Sequence, residues 1–242
     1  MALDRTGLPP LNGLMIAPDP VAEPGKSRYR RGTETRERIV MAALPAFGLK
    51  GFQAVSTREI ALAANVSLPA IQYYFGNKQG LYQACAGHIV SRYRDATRGV
   101  GIAAQAAWTR GAAPMQCHQH LRDVLLTLAR FLMDSDESLG WSLFIQRELA
   151  DPGAAFDILF EQLWQPGVEL VGQLIAAARS LAVCTATERL EAVHMISGLT
   201  AFASGRAAID RLLAPSLAPA ALTEALCRLI ERQVAGVVPI SG

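Results

Sequence analysis

The stretch that decides the fold runs from Ser56 to Leu81 and reads STREIALAANVSLPAIQYYFGNKQGL. Ser56-Thr57-Arg58-Glu59 has the S-x-x-E form of a capping box, in which serine and glutamate satisfy each other's orphan backbone donors and start a helix. That helix is short, with Ile60 and Ala63 or Ala64 facing inward. It ends at Asn65, a residue that tolerates the left-handed conformation of a tight turn. Ser67 then stands at the cap of a third helix, where Pro69 falls in the first turn and its missing N–H costs nothing. Gly76 breaks this helix after Phe75, and Asn77 caps a fourth, expected from Lys78 to about Arg98. Two short helices joined by a three- or four-residue turn and packed on a longer first helix make a helix-turn-helix. At about 100° per residue, Ile71, Tyr74 and Phe75 share one side of the third helix and Leu68, Pro69, Gln72 and Tyr73 the other. The second side is a poor surface for water and a good one for base edges: glutamine pairs with adenine, and apolar groups touch thymine methyls.

Charge supports the same reading. Residues 26–100 carry twelve Lys and Arg against four acids, a net of +8; residues 1–25 net −2 and residues 101–242 net −4. A polyanion fits the basic segment, although such an imbalance is also met on ordinary solvated surfaces. The run KSRYRR, Lys26 to Arg31, is expected as a basic arm that either dips into a minor groove or only touches phosphates. Before it, five of the chain's thirteen prolines fall within the first 25 residues, so residues 1–27 are expected as a disordered tail. The first helix is expected from about Thr33 to Leu49, with Ile39, Val40, Ala43, Leu44 and Phe47 on one face, Pro45 as a kink and Gly51 as the stop.

The chain as a whole is 51% hydrophobic and 18% charged, with apolar residues repeating at three and four positions and few β-branched runs. The expected fold is all-α, an N-terminal three-helix helix-turn-helix domain (residues 28–90) followed by a larger helical ligand-binding and dimerisation domain (residues 91–236). The best candidate for a membrane span, Val168 to Cys184, is interrupted by Glu169, Gln173 and Arg179, and the proline-rich start does not suit a secretory signal. A cytoplasmic protein is therefore expected, and the four scattered cysteines suit reduced thiols.

The residues Thr57-Arg58-Glu59-Ile60-Ala61, Asn65-Val66-Ser67 and Ile71-x-Tyr73-Tyr74-Phe75-Gly76-Asn77-Lys78-x-x-Leu81 resemble the TetR/AcrR family of bacterial transcriptional regulators over about residues 33–82. The stretches IQYYFGNKQGLY and RELADPGAAFDILFEQLWQP, from Ile71 and Arg147, look like its CecR-type subgroup. The resemblance implies a dimer, usually a repressor, whose third helix enters the major groove. It implies that Tyr74 and Lys78 clamp the phosphate backbone with Ser56 or Thr57, and that Arg58 reaches phosphate or base. Two positions depart from the common pattern: Asn65 where glycine is usual, which is physically conservative, and Gln72 where tyrosine is usual, which changes base readout. The expected DNA-binding set is thus Ser56, Thr57, Arg58, Ser67, Leu68, Pro69, Gln72, Tyr73, Tyr74 and Lys78. A dimer places two copies of the third helix about 34–36 Å apart, one turn of B-DNA, or a somewhat larger multiple, so an inverted-repeat operator in double-stranded DNA is expected.

Beyond residue 100, Phe131, Trp141, Phe144, Phe160 and Trp164, with Phe156 nearby, are candidates for a pocket that takes a small apolar or amphipathic effector; an aromatic core is the alternative. The last helices, about Thr187 to Leu213 and Ala218 to Val234, carry Gly198, Ala201, Ala203, Ser204, Gly205, Ala207 and Ala208, small residues suited to a four-helix homodimer interface. CHQH, Cys117 to His120, lacks a partner pair and is not expected to hold a metal, and His194, on the apolar dimer helix, reads as a hydrogen-bonded core residue rather than a ligand. No cofactor is expected. An enzyme acting on small molecules is the alternative from another class, but no G-x-S-x-G, Walker loop, G-x-G-x-x-G or H-E-x-x-H is present, and Glu148, Asp151 and Asp157 look like helix-end carboxylates. A helical adaptor binding only protein is a third reading.

Overall fold

Straight-chain residues and alanine lose little freedom in a helix, and the described chain is helical nearly throughout. The computed structural model describes residues 26–134, 138–213, 216–218 and 221–237, with side chains from residue 32 onward except that of residue 138. Of the tail expected at residues 1–27, residues 1–25 lie outside the described residues, and Lys26 and Ser27 are not tail but the first residues of a helix. No strand occurs among those described.

Helix α1 spans Lys26–Lys50, α2 Thr57–Ala63, α3 Leu68–Phe75 and α4 Lys78–Thr109. Two of these differ from expectation. The basic run from Lys26 to Arg31 is the opening of α1 rather than an arm, because Lys and Arg are good helix formers and no proline intervenes between Pro24 and Pro45. Helix α4 does not stop near Arg98 but continues to Thr109. Gly99 and Gly101 weaken a helix by about 1 kcal/mol each without ending it, and the stop comes at Gly111, whose φ is +66°.

The larger unit follows: α5 (Pro114–Asp134), α6 (Ser138–Ala150), α7 (Phe156–Leu159), a π-helical turn (Phe160–Trp164) and α8 (Gln165–Ala178). Then come α9 (Ala186–Ser204), α10 (Arg206–Leu213) and α11 (Leu222–Ala235). The helix expected from Thr187 to Leu213 is therefore two, divided at Gly205, which caps α9 by donating its N–H to the Ala201 carbonyl at 2.8 Å. At the other end of α9 the Glu188 carboxylate accepts from the Thr185 N–H (2.8 Å) and hydroxyl (2.6 Å), a capping box.

Helix α5 is the axis of the larger unit. Its buried residues Cys117, Leu121, Val124, Leu125, Ala129 and Leu132 repeat at helical spacing, and it packs on α4, α8 and α11. Each fully buried leucine there is worth about 1.5–3 kcal/mol of transfer free energy. The core continues without interruption from Ile39 of α1 to Val237, so the two units share one apolar interior. They meet where α1 and α6 cross. A Cβ on Gly48 would collide with the carbonyl oxygen of Gly140, and one on Gly140 would lie 3.3 Å from Cα of Pro45. Helix α1 runs on through Pro45 to Lys50.

Candidate nucleic-acid interface

Helix α2 starts at Ser56, whose φ of −97° and ψ of 149° are extended and whose Oγ accepts from the Glu59 N–H at 3.1 Å. Glu59 turns its carboxylate to the ammonium of Lys50 at the end of α1 and not back to the Ser56 N–H, so only the serine half of the expected capping box forms, and the Lys50 hydrogen bond holds the carboxyl below the usual carboxylate range. The one acid of α2 is thus held beside a cation. The turn closes at Asn65 with φ +49°, where the Val66 N–H returns to the Ala61 carbonyl at 3.0 Å. Ser67 occupies the cap position of α3, but its hydroxyl makes no capping bond.

Helix α3 is anchored by Ile71, 2% exposed, on the inner side. On the outer side Leu68 is 40% and Tyr73 82% exposed, with Pro69 and Gln72 also exposed. A ring and an aliphatic chain left in water on one short helix form an apolar strip beside an amide, which is what base edges and thymine methyls require.

The joint between α3 and α4 sets the position of Lys78. Gly76, at φ +76°, returns its N–H to the Gln72 carbonyl at 2.9 Å, and the Asn77 side chain accepts from the Gly80 N–H at 2.8 Å. Gly80 is obligatory, because a Cβ there would overlap the Phe75 carbonyl oxygen. Lys78 stands at the N-terminus of α4, with its Nζ 4.5 Å over the ring of Phe52 and donating to the Gln53 carbonyl at 3.4 Å. A cation at the positive end of a helix is unfavourable, so the ring and the carbonyl are what hold it there.

Ser56, Thr57, Leu68, Gln72 and Lys78 converge on a groove of about 510 Å³ lined also by Gln53, Ala54, Val55, Ile71, Gly76 and Asn77. Arg58, Ser67, Pro69 and Tyr73 are exposed outside it. Tyr74 is half-buried, its ring edge-on to Tyr73 at 5.0 Å, and a Cβ on Gly32 of α1 would lie 3.7 Å from its hydroxyl. Phe52, under Lys78, and Gly80, against the Phe75 carbonyl, shape this region and escaped sequence reasoning. The signal for Gly80 was a glycine three residues after a capping asparagine; for Phe52 there was none.

The candidate effector residues fall into separate groups. Trp141 (1% exposed) is 5.7 Å from half-buried Phe131, which lies edge-on to Tyr93 at 4.9 Å. Phe144 (0% exposed) packs 4.5 Å from Tyr82 at the junction of the two units. Phe160 and Trp164 are half-buried on the π-helical turn, 6.3 Å apart, with Phe156 stacked on Phe160 at 5.5 Å. Elsewhere, His118 Nε2 pairs with the Val234 carbonyl at 3.0 Å and buried Cys117 faces the Ala112 carbonyl at 3.6 Å, while His194 is exposed on α9 and not the core residue expected. Among the described residues no group of three or more His, Cys, Asp or Glu converges as metal ligands would, and no helix is long and apolar enough to cross a membrane.

Against known proteins, residues 39–85 match the family profile described as bacterial regulatory proteins, tetR family, and residues 117–237 match the C-terminal domain of the HTH-type transcriptional dual regulator CecR. The CecR protein of Shigella flexneri is 32% identical over 185 residues, 74% of this chain and 80% of that protein. A probable HTH-type transcriptional regulator of Bacillus subtilis, YttP, is 41% identical over 59 residues, 24% of this chain and 27% of its own. Among solved structures, a TetR-like transcriptional regulator from Rhodococcus sp. RHA1 superposes with a TM-score of 0.58 at 21% identity, covering 84% of this chain and 96% of that one. NalD of Pseudomonas aeruginosa, described as the secondary repressor of a multidrug efflux pump, gives 0.54 at 22% identity over 87% and 98%.

Proposed function

The chain belongs to the TetR family of bacterial regulatory proteins, with a CecR-type C-terminal domain, and from that premise we propose that it works as a homodimeric repressor, released from an inverted-repeat operator by a small apolar or amphipathic effector. The observation that carries the DNA reading is the outer side of α3, where Leu68, Pro69, Gln72 and Tyr73 stand in water beside the groove that ends at Lys78. Base readout falls to those four, and phosphate contact to Lys78, Ser56, Thr57 and Tyr74, with Arg58 and Ser67 at the flanks. Residues 28–90 form the reading unit and residues 91–236 the sensing and dimerising unit, acting in the cytoplasm where the chromosome lies. The Shigella relative is described as a dual regulator, which supports a role in activation as well as repression.

The direct test is a gel shift with DNA from upstream of the protein's own gene and with duplex selected from a random pool, at nanomolar protein. Retention of an inverted repeat supports the reading. Failure with every duplex at low salt favours the adaptor or enzyme readings. Gln72→Ala is expected to relax the preference at one base position of each half-site by about 1–3 kcal/mol while leaving the others unchanged, read by competition among single-base variants of the selected site.

For the dimer, the surface of α9 supports the assignment only in part. Gly198 and Ala201 are exposed beside Leu190, which is 69% exposed, and on α10 Ala207 and Ala208 are exposed. Ala203 is buried and Ser204 accepts from the Gln146 amide at 2.7 Å, so those two serve the protomer's own packing. At Gly205 a Cβ would lie 2.9 Å from the Ala201 carbonyl oxygen, so a substitution there disturbs the α9 end as well as any interface, whereas at Gly198 there is open space. Gly198→Glu is therefore the informative variant. It is expected to sediment as a monomer at low micromolar concentration; an unchanged dimer moves the interface elsewhere.

The effector reading is supported by two buried hydroxyls, that of Tyr93, whose ring lies against Phe131, and that of Ser142, the residue after Trp141 in sequence. Among the described residues, Tyr93 Oη and Ser142 Oγ are buried without a hydrogen-bond partner. Burial pushes the Tyr93 hydroxyl well above its ordinary pKa, so it stays a neutral donor. An unsatisfied buried hydroxyl costs about 1–3 kcal/mol, and a polar group on an otherwise apolar ligand would recover part of that.

A further inference from the structure

Two adjacent residues of α6 reach out of the larger unit and take hold of the reading unit at different helices. Arg147 donates from Nε to the Gly48 carbonyl at 2.8 Å and from Nη2 to the Leu49 carbonyl at 2.7 Å. These carbonyls lie in the last turn of α1, where the helix supplies no N–H donors to them, and the guanidinium fork also complements the negative end of the helix. Glu148, 4% exposed, accepts from the Tyr82 hydroxyl of α4 at 2.8 Å through Oε1, and through Oε2 from the backbone N–H groups of Gly153 (3.2 Å) and Ala155 (3.1 Å). The Tyr82 ring is the hub of the junction, 4.9 Å from Phe47 of α1, 5.0 Å from Phe52 and 4.5 Å from Phe144 of α6. Phe52 in turn lies under Lys78.

We infer that Arg147 and Glu148 are positioning residues that fix the angle of the reading unit on the larger unit, and through it the half-site spacing the dimer accepts. The inference rests on the regulator reading and adds to it. A buried carboxylate with three donors is directional in a way that apolar packing is not, because each donor must lie near its lone pairs. The arginine fork is directional for the same reason. Together they pin α1 and α4 at separate points, which removes rotation as well as translation. Apolar contacts alone between Phe47, Tyr82 and Phe144 leave small rotations nearly free, since burial energy depends on area and not on angle.

The test uses the full chain and the duplex it selects, together with versions shortened or lengthened by one base pair at the centre and an isolated half-site. Tyr82→Phe combined with Arg147→Ala removes the hydroxyl donor and the fork and leaves every ring in place. The double variant is expected to lose about tenfold on the selected duplex, to bind the half-site within about twofold of the parent, and to discriminate less between the native and altered spacings. Glu148→Gln is expected to stay close to the parent, because the amide oxygen can face the two backbone donors while Tyr82 accepts from the amide nitrogen. Should thermal melting show that the double variant does not fold, Arg147→Ala, whose side chain lies at the surface, is read in the same three assays. A folded variant with unchanged spacing preference, or with equal losses on half-site and full site, overturns the inference. If the parent itself selects no duplex, the regulator reading fails and this one with it.

Discussion

Lys78→Ala is expected to weaken binding to every duplex by a similar factor and to lower the salt slope of log K by about one unit per subunit. Phosphate contacts carry no sequence information, so a lysine that grips the backbone contributes equally to specific and non-specific binding. What makes Lys78 a strong candidate is that its ammonium is already held in place. It sits half-buried over the Phe52 ring and beside the Gln53 carbonyl, within the groove that also contains Gln72 and Leu68. A cation fixed before DNA arrives loses less side-chain entropy on binding than one on a free stem. Fluorescence anisotropy across a series of salt concentrations, with the selected duplex and a scrambled one, measures both quantities. A loss confined to the selected duplex would assign Lys78 to base readout and return the phosphate grip to α2 and Tyr74.

The reading unit was legible in the sequence because its structure is written in local punctuation. Ser56, Asn65, Gly76 and Asn77 each do in the fold what their chemistry allows at that position, and helical spacing alone separates buried Ile71 from exposed Gln72 and Tyr73. Helix ends that depend on tertiary packing were less legible. Gly99 and Gly101 look like breakers, yet α4 runs through them, and Gly205 looks like a small interface residue, yet it ends α9. The roles of Phe52, Tyr82, Arg147 and Glu148 were invisible for a simpler reason: Tyr82 and Glu148 are separated by 66 positions, and Arg147 and Gly48 by 99. No periodicity connects such pairs. The effector residues illustrate a different limit, since an aromatic that lines a pocket and one that fills a core have the same pattern. Trp141 and Phe144 are buried, while Phe160 and Trp164 stand apart from them on the π-helical turn.

The second large effect concerns the crossing of α1 and α6 and is best seen by making the same substitution at two glycines. Glycine in a helix interior costs about 1 kcal/mol relative to alanine, so Gly→Ala stabilises wherever the new methyl group has room. Gly87, exposed in α4 with no neighbour within 4 Å of the added carbon, has that room. Gly87→Ala is expected to gain about 0.5–1 kcal/mol. At Gly48 the added carbon would fall on the carbonyl oxygen of Gly140, which is backbone and can yield only if α6 moves. Overpacking of this kind costs about 1–3 kcal/mol, and more where backbone must shift, which outweighs the propensity gain. Gly48→Ala is therefore expected to lower Tm, by roughly 2–4 °C per kcal/mol lost for a chain of this size. The displacement also falls beside the two α1 carbonyls that accept from Arg147, so the variant should lose spacing preference on DNA along with stability. Differential scanning calorimetry of the two variants decides the matter: a Gly48→Ala protein as stable as Gly87→Ala would mean that the helices are not in contact there, and that the reading unit is held by its other junctions alone.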